Sequence, residues 1–149
     1  MKIQLEIDSA LEDCEVLIRC PEINEEVQRL QRTIYEVTCR NQQIIFYQGE
    51  KEYYFPVRKV LFFETADNSI LAHTAREVFV VKHKLYELEE LLPAYFMRVS
   101  KSTILNTREI YSITKNLTAS SVVEFQNTYK KVYVSRNYYK ALTTVISRR

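Results

Sequence analysis

Two short segments near the carboxyl end carry side chains that could bind a nucleic acid. Residues 96–110 interleave apolar stretches with Arg98, Lys101, Ser102, Asn106 and Arg108, and residues 132–139 add Arg136 and Asn137. In the major groove an asparagine can pair bidentately with adenine and an arginine with guanine, while lysines and hydroxyls at strand ends can hold phosphates. The same residues are also typical of ordinary turns, in which Asn106 and Ser135 would cap the local backbone, and taken one at a time they favour that interpretation.

Residues suited to catalysis or metal binding form no recognisable set. The two histidines, His73 and His83, are not at metal-ligand spacing from cysteines or carboxylates. A single glycine, Gly49, cannot build the phosphate-binding loop of nucleotide enzymes. We therefore predict a protein that is not an enzyme and uses no metal, cofactor or small-molecule substrate. A small β-rich enzyme remains the third hypothesis, because a Cys–His pair would meet only in the fold.

Charge is distributed unevenly along the chain. Residues 1–45 hold five basic and nine acidic side chains, and residues 46–97 hold six and eight. Residues 98–149 hold ten basic and two acidic side chains, a net charge of +8. Such a basic end indicates a polyanionic partner, since phosphate contacts release condensed counterions. A solvated basic surface without a ligand would have the same composition.

The compartment can be predicted from what the sequence lacks. No stretch approaches the roughly 18 apolar residues of a membrane-spanning helix, and the acidic, alternating N-terminus is unlike a secretory signal. We therefore expect a cytoplasmic protein. Cys14, Cys20 and Cys39 match no disulfide or zinc pattern and are expected to be small buried apolar residues.

The first 41 residues predict an acidic β-β-α extension. Residues 2–8 alternate apolar and polar side chains, residues 15–20 read as a second strand, and residues 24–38 have helical spacing with Asn24 as the N-cap. This extension, residues 1–41, is either packed on the main domain or a regulatory or dimer contact.

From about residue 42 the hydrophobic period changes to two, which predicts a mainly β domain over residues 42–149. Two strands flank Gly49 in a hairpin, and a leucine-rich helix covers residues 84–92. Ser135 can cap a final helix. Further strands are predicted at residues 60–64, 70–74, 77–82, 96–99, 103–105, 110–117, 122–126 and 131–134.

Three short motifs follow one another along this domain. They are Val-Leu-Phe-Phe-Glu at residues 60–64, Arg-Val-Ser-Lys-Ser-Thr-Ile-Leu-Asn at residues 98–106, and Val-Ser-Arg at residues 134–136. With the leucine-rich helix before the second stretch and Ile110 after it, the chain resembles the LytTR DNA-binding family over about residues 42–147. Two positions differ from the family pattern. Ser100 replaces a frequent histidine, and the loop after residue 64 lacks the histidine of some members.

The resemblance implies an elongated β-β-β sandwich of small antiparallel sheets, in which strand ends and loops enter successive major grooves. It also implies the contact residues. Asn106 and Arg136 would read bases, and Asn68 and Ser69 would add a loop contact. The DNA backbone would be held by Lys101, Ser102, Asn137, Arg98 and Lys140.

The leading hypothesis is a sequence-specific regulator that binds double-stranded DNA at repeated half-sites as a homodimer. The alternative is a sequestering protein-interaction module that kept the fold without DNA binding. About 40 residues precede the domain, too few for a receiver domain, so we expect no aspartyl-phosphate switch in this chain. The extension resembles that of stand-alone members, which are often encoded beside a small membrane protein that restrains them. An inhibitory membrane protein is therefore a further expected partner.

Overall fold

Ten strands and three α-helices form in residues 1–12, 14–38 and 44–148, which the computed structural model describes apart from the Tyr35 side chain. The chain divides into two compact units, Met1–Ile34 and Tyr35–Arg149. The predicted boundary at residues 41 and 42, like Cys39, lies outside the described residues. The helices are α1 (Glu25–Thr38), α2 (Leu85–Leu91) and α3 (Arg136–Ser147), and the strands are β1 (Phe46–Gln48), β2 (Lys51–Tyr53), β3 (Phe62–Ala66), β4 (Ser69–His73), β5 (Val78–Val81), β6 (Phe96–Ser100), β7 (Thr103–Asn106), β8 (Ile110–Thr114), β9 (Ser121–Phe125) and β10 (Lys131–Val134).

The predicted helix forms and begins in the first unit, but the two predicted strands do not form. Asn24 caps α1 as expected, because its Oδ1 accepts a hydrogen bond from the Val27 amide at 3.0 Å. Residues 2–8 and 15–20 pair with no described strand, and Ile3 remains 91% exposed. An alternating segment becomes a strand only when another strand completes its hydrogen-bond ladder, which sequence period alone cannot supply. Cys14 and Cys20 are exposed, so their predicted burial is wrong.

A seven-stranded antiparallel sheet forms the centre of the second unit, in the order β2-β1-β5-β4-β3-β7-β6. The β1–β2 hairpin turns at Gly49, as predicted, where φ is +58°. One register pair, Tyr47 with Val80, joins this hairpin to β5. Strands β8, β9 and β10 form a second antiparallel sheet of three strands. The predicted mainly β fold of antiparallel sheets is therefore confirmed, with the described strands grouped in two sheets.

Hydrophobic cores lie on both faces of the large sheet, because successive strand residues point to opposite sides. Phe63 packs with the helix α2 residues Leu85 and Leu88 in one core. Phe62 packs in the other core with the small sheet and with Leu142 of α3. Full burial of a side chain such as Leu142 contributes about 1.5–3 kcal/mol. Because both faces are covered, the ends of the strands and their turns remain available for contact with a ligand.

Among the described residues, none of the helices is both long enough and apolar enough to cross a bilayer.

Candidate nucleic-acid interface

Three chain segments meet at one end of the large sheet. They are the β6–β7 turn (Lys101 and Ser102), the β3–β4 turn (Asp67 and Asn68) and the start of α3 (Ser135–Asn137); we call them the turn cluster. Antiparallel pairing of β3 with β7 brings the two turns together, and the Thr65 amide donates to the Ser102 carbonyl at 2.9 Å. The Ser135 amide donates to the Val99 carbonyl at 2.9 Å, which holds the start of α3 beside β6.

A cleft of about 340 Å³ opens beside the turn cluster, of which Ser102 and Ser135 line it. Most of its lining residues carry hydroxyl groups, and the others include one lysine and one glutamate. Hydroxyls and lysines at strand ends suit phosphate oxygens. The lining consists of Ser100, Ser102, Thr103, Ser120, Tyr133, Ser135, Lys131, Val132 and Glu64.

Most of the predicted contact residues are exposed, and one of them, Ser102, lines the cleft. Lys101, Ser102, Arg136, Asn137 and Lys140 are all exposed. Arg136 and Lys140 are four residues apart on α3 and therefore share one face of the helix. The structure thus brings together a basic and hydroxyl-bearing surface from residues far apart in sequence.

The predicted loop contact lies in a two-residue hairpin turn. Asp67 and Asn68 have φ values of +49° and +63°, a left-handed conformation that these two residue types tolerate well. Asn68 is exposed at the tip of the turn, and Ser69 is half-buried as the first residue of β4. Asn68 is therefore the better placed of the two for contact with a ligand.

Asn106 does not have the geometry of a base-reading residue. Its side chain is 1% exposed, and its Nδ2 donates to the carbonyls of Arg58 and Val60, each at 3.1 Å. Its Oδ1 accepts from the Arg108 amide at 3.0 Å, which caps the short 3-10 helix that follows β7. The donors and acceptor of this amide are thus used inside the protein. The predicted base contact of Asn106 disagrees with the structure, whereas the alternative of a local cap is confirmed.

Arg98 also points toward the protein rather than outward. Its Nε donates to the Ser100 carbonyl at 3.1 Å, and its Nη2 donates to the Lys101 carbonyl. Its Nη1 lies 3.3 Å from the Glu89 carboxylate on α2. These partners compete with the predicted phosphate contact of Arg98.

Ser135 occupies the N-cap position of α3, as the sequence predicts. Its hydroxyl makes no capping bond to the described first turn of the helix and lies instead in the cleft lining. Thr103, Ser120, Lys131 and Tyr133 also line the cleft but were not predicted as site residues. Tyr133 could have been found from the alternation of β10, because Val132 and Val134 are buried and Tyr133 must face outward.

One histidine contacts the glutamate that lines the cleft. The His73 Nε2 is 2.7 Å from the Glu64 Oε1, and the imidazole stacks on Phe62 with ring centroids 4.3 Å apart. The buried Nδ1 of His73 has no partner among the described residues. Burial lowers the pKa of His73 below 6.5 and outweighs the opposing hydrogen bond and charge of Glu64.

This lowered pKa predicts that acidification destabilises the protein. The unfolded chain takes up a proton at His73 near its ordinary pKa of 6.5, whereas the folded chain resists protonation until lower pH. The stability present above pH 6.5 is therefore lost as the pH falls toward the folded pKa. Urea unfolding at about pH 7.5 and about pH 5.5 should show this loss, and His73→Gln should reduce it. Equal pH dependence in the wild type and H73Q would contradict the assignment to His73.

Comparison with known proteins identifies the family. The family model described as the LytTr DNA-binding domain matches residues 50–147. The chain belongs to the LytTR family. The LytTr DNA-binding domain of a protein from Bacillus cereus has a similar fold, with a TM-score of 0.63, 23% identity, and coverage of 68% of this chain and 94% of that one. The predicted LytTR fold is therefore confirmed.

Relatives with similar sequences include proteins of Staphylococcus aureus. An uncharacterized HTH-type transcriptional regulator of strain MSSA476 is 28% identical over 149 residues, which is 99% of each chain. One from strain MRSA252 is 29% identical over 106 residues, 71% of each chain. The similarity to the first includes the N-terminal extension as well as the LytTR domain.

The helix-turn-helix in the names of these relatives has no counterpart in the described part of this LytTR chain. A helix-turn-helix joins two helices by a turn of about three to four residues. Here α2 lies between β5 and β6, and α3 follows β10.

Proposed function

We propose that this protein is a sequence-specific transcriptional regulator that binds double-stranded DNA through the turn cluster. The observation that carries the proposal is the exposure of Lys101, Ser102, Arg136 and Asn137 in two segments that each contribute a serine, Ser102 and Ser135, to a hydroxyl-lined cleft. These residues belong to the part of the chain whose net charge is +8. A basic concave surface with hydroxyl groups supplies both the counterion release and the directed hydrogen bonds that a duplex requires.

The proposed contacts divide by chemistry. Arg136 reads a guanine in the major groove, because its guanidinium can bond O6 and N7 together. Asn68, and Ser69 beside it, add a second contact from the β3–β4 turn. Lys101, Ser102, Asn137 and Lys140 hold phosphates and set the register on the duplex. In this mode strand ends and the first turn of α3 enter the groove, instead of a recognition helix lying along it.

We further propose that two copies act together on repeated half-sites in the cytoplasm, with the extension as the dimer or regulatory contact. Within the first unit, residues 16–20 and α1 line an apolar groove of about 370 Å³, to which Ile23, Val27 and Ile34 contribute. Exposed apolar side chains of this kind are typical of interaction surfaces. A second copy or an inhibitory membrane protein would cover them.

Deleting residues 1–40 tests the role of the extension. Loss of the dimer in sedimentation, or altered output of a target gene, would support a contact role. No change in either would leave the extension merely structural.

Selection from random oligonucleotides with the purified full chain tests the DNA-binding function. We expect enriched duplexes to contain repeated, regularly spaced motifs, because two copies bind adjacent half-sites. Affinity should fall steeply with salt, as it does when phosphates are neutralised by lysines and arginines. The proposal fails if, at low ionic strength, the protein shows no preference for any duplex over a background competed with heparin.

A further inference from the structure

The β6–β7 turn is held by an arginine that comes from the strand leading into it. The pairing of β6 with β7 shifts register between Arg98 and Ser100, which marks a β-bulge just before the turn. A bulge interrupts the hydrogen-bond ladder, so nearby carbonyls need other donors. Arg98 supplies them, since its guanidinium donates to the carbonyls of Ser100 and Lys101.

The same bulge connects the turn to the start of α3. The carbonyl of Val99, the residue between Arg98 and Ser100, accepts the Ser135 amide at 2.9 Å. Ser135 directly precedes Arg136, the proposed base reader. The backbone of residues 98–100 therefore leads directly into the turn at Lys101 and also bonds the residue before Arg136.

Glu89 holds the guanidinium in this position from outside the turn. Its carboxylate on α2 lies 3.3 Å from Arg98 Nη1, and 40% of its side chain is exposed. Exposed ion pairs contribute little to overall stability. A carboxylate close to a DNA-binding surface would also repel phosphates. Neither stability nor electrostatic attraction to DNA explains its place, whereas orientation of Arg98 does.

We propose that Glu89 and Arg98 are positioning residues, which fix the bulge so that Lys101, Ser102 and Arg136 meet the duplex in one register. This inference rests on the proposed DNA-binding function. Arg98 acts through the backbone of the turn and not through a phosphate of its own. A pre-positioned surface binds more tightly because less conformational freedom is lost on binding.

Glu89→Gln distinguishes positioning from direct contact, and Glu90→Gln is its matched control. Glu90 is exposed on the same helix, so E90Q removes the same charge without touching Arg98. If Arg98 bound DNA directly, E89Q would release it and binding would become tighter. If Arg98 positions the turn, E89Q should weaken cognate binding about threefold to tenfold relative to E90Q. Binding by E89Q equal to or tighter than binding by E90Q would overturn the proposal.

Arg98→Ala and the double variant test whether the two residues act as one unit. We expect R98A and the E89Q/R98A double variant to bind DNA equally, because each loses the same positioning effect. Additive losses would mean that the residues act separately and would overturn the proposal. In the otherwise wild-type protein, Lys101→Ala should reduce the slope of log affinity against log salt concentration by about one. In the E89Q background the same substitution should reduce this slope by less.

Hydrogen exchange gives a readout that does not depend on DNA. The Ser102 amide donates to the Ser100 Oγ at 3.2 Å, so its exchange reports whether the turn is ordered. We expect faster exchange of this amide in E89Q than in E90Q, with equal melting temperatures. Unchanged exchange would overturn the positioning role. If the Ser102 amide exchanges faster in E89Q but the protein binds no duplex, the result contradicts only the proposed DNA-binding function and not the positioning of the turn.

Discussion

Replacing Asn106 with alanine is expected to lower the free energy of unfolding by about 3–5 kcal/mol, a large share of the stability of a small domain. The substitution leaves the carbonyls of Arg58 and Val60 and the Arg108 amide without their side-chain partner, in one buried and two partly buried hydrogen bonds. It also removes atoms from a fully buried position. Denaturant unfolding followed by circular dichroism measures the effect.

Asn137→Ala is the matched control for this experiment. Asn137 is exposed in the first turn of α3, so its loss should change the free energy of unfolding by less than about 0.5 kcal/mol. The molecules of N106A that remain folded should bind duplex DNA with nearly wild-type affinity. Full stability together with lost cognate affinity would mean that Asn106 reads a base after all.

Arg136→Ala should weaken binding to the selected cognate site by about 1–3 kcal/mol, or roughly 5- to 150-fold in Kd. The arginine is exposed at the amino end of α3, where the helix dipole disfavours a positive charge. Helix stability therefore does not explain an arginine at this position. We expect that R136A does not lower the free energy of unfolding. Fluorescence anisotropy with the cognate duplex and with a shuffled duplex measures the change.

Arg148→Ala removes the same charge from the other end of α3 and serves as the control. Arg148 is the C-cap residue of this helix, away from the turn cluster in sequence. R148A should affect cognate and shuffled duplexes alike and only slightly, whereas R136A should reduce mainly the cognate preference. Equal losses on both duplexes in R136A would assign Arg136 to the DNA backbone rather than to a base.

Local patterns in the sequence determined most of the secondary structure. The change to period two after residue 42, the turn at Gly49 and the cap at Asn24 depend on neighbouring residues, so each could be predicted without the fold. The family resemblance likewise rests on motifs that are read along the chain. The uneven charge follows from the residue types along the chain, so it too can be predicted without the fold.

Tertiary contacts decided which polar side chains face a ligand. Asn106 lies in a motif that resembles a base reader, but its partners Arg58 and Val60 come from residues 48 and 46 positions earlier. Arg98 forms an ion pair with Glu89 on a neighbouring helix, and the described residues of the extension form no strand ladder, although their alternation predicted one. The physical reason is common to these cases. A polar side chain or a strand edge bonds whichever partner lies within reach, and the identity of that partner is set by the fold rather than by the adjacent sequence.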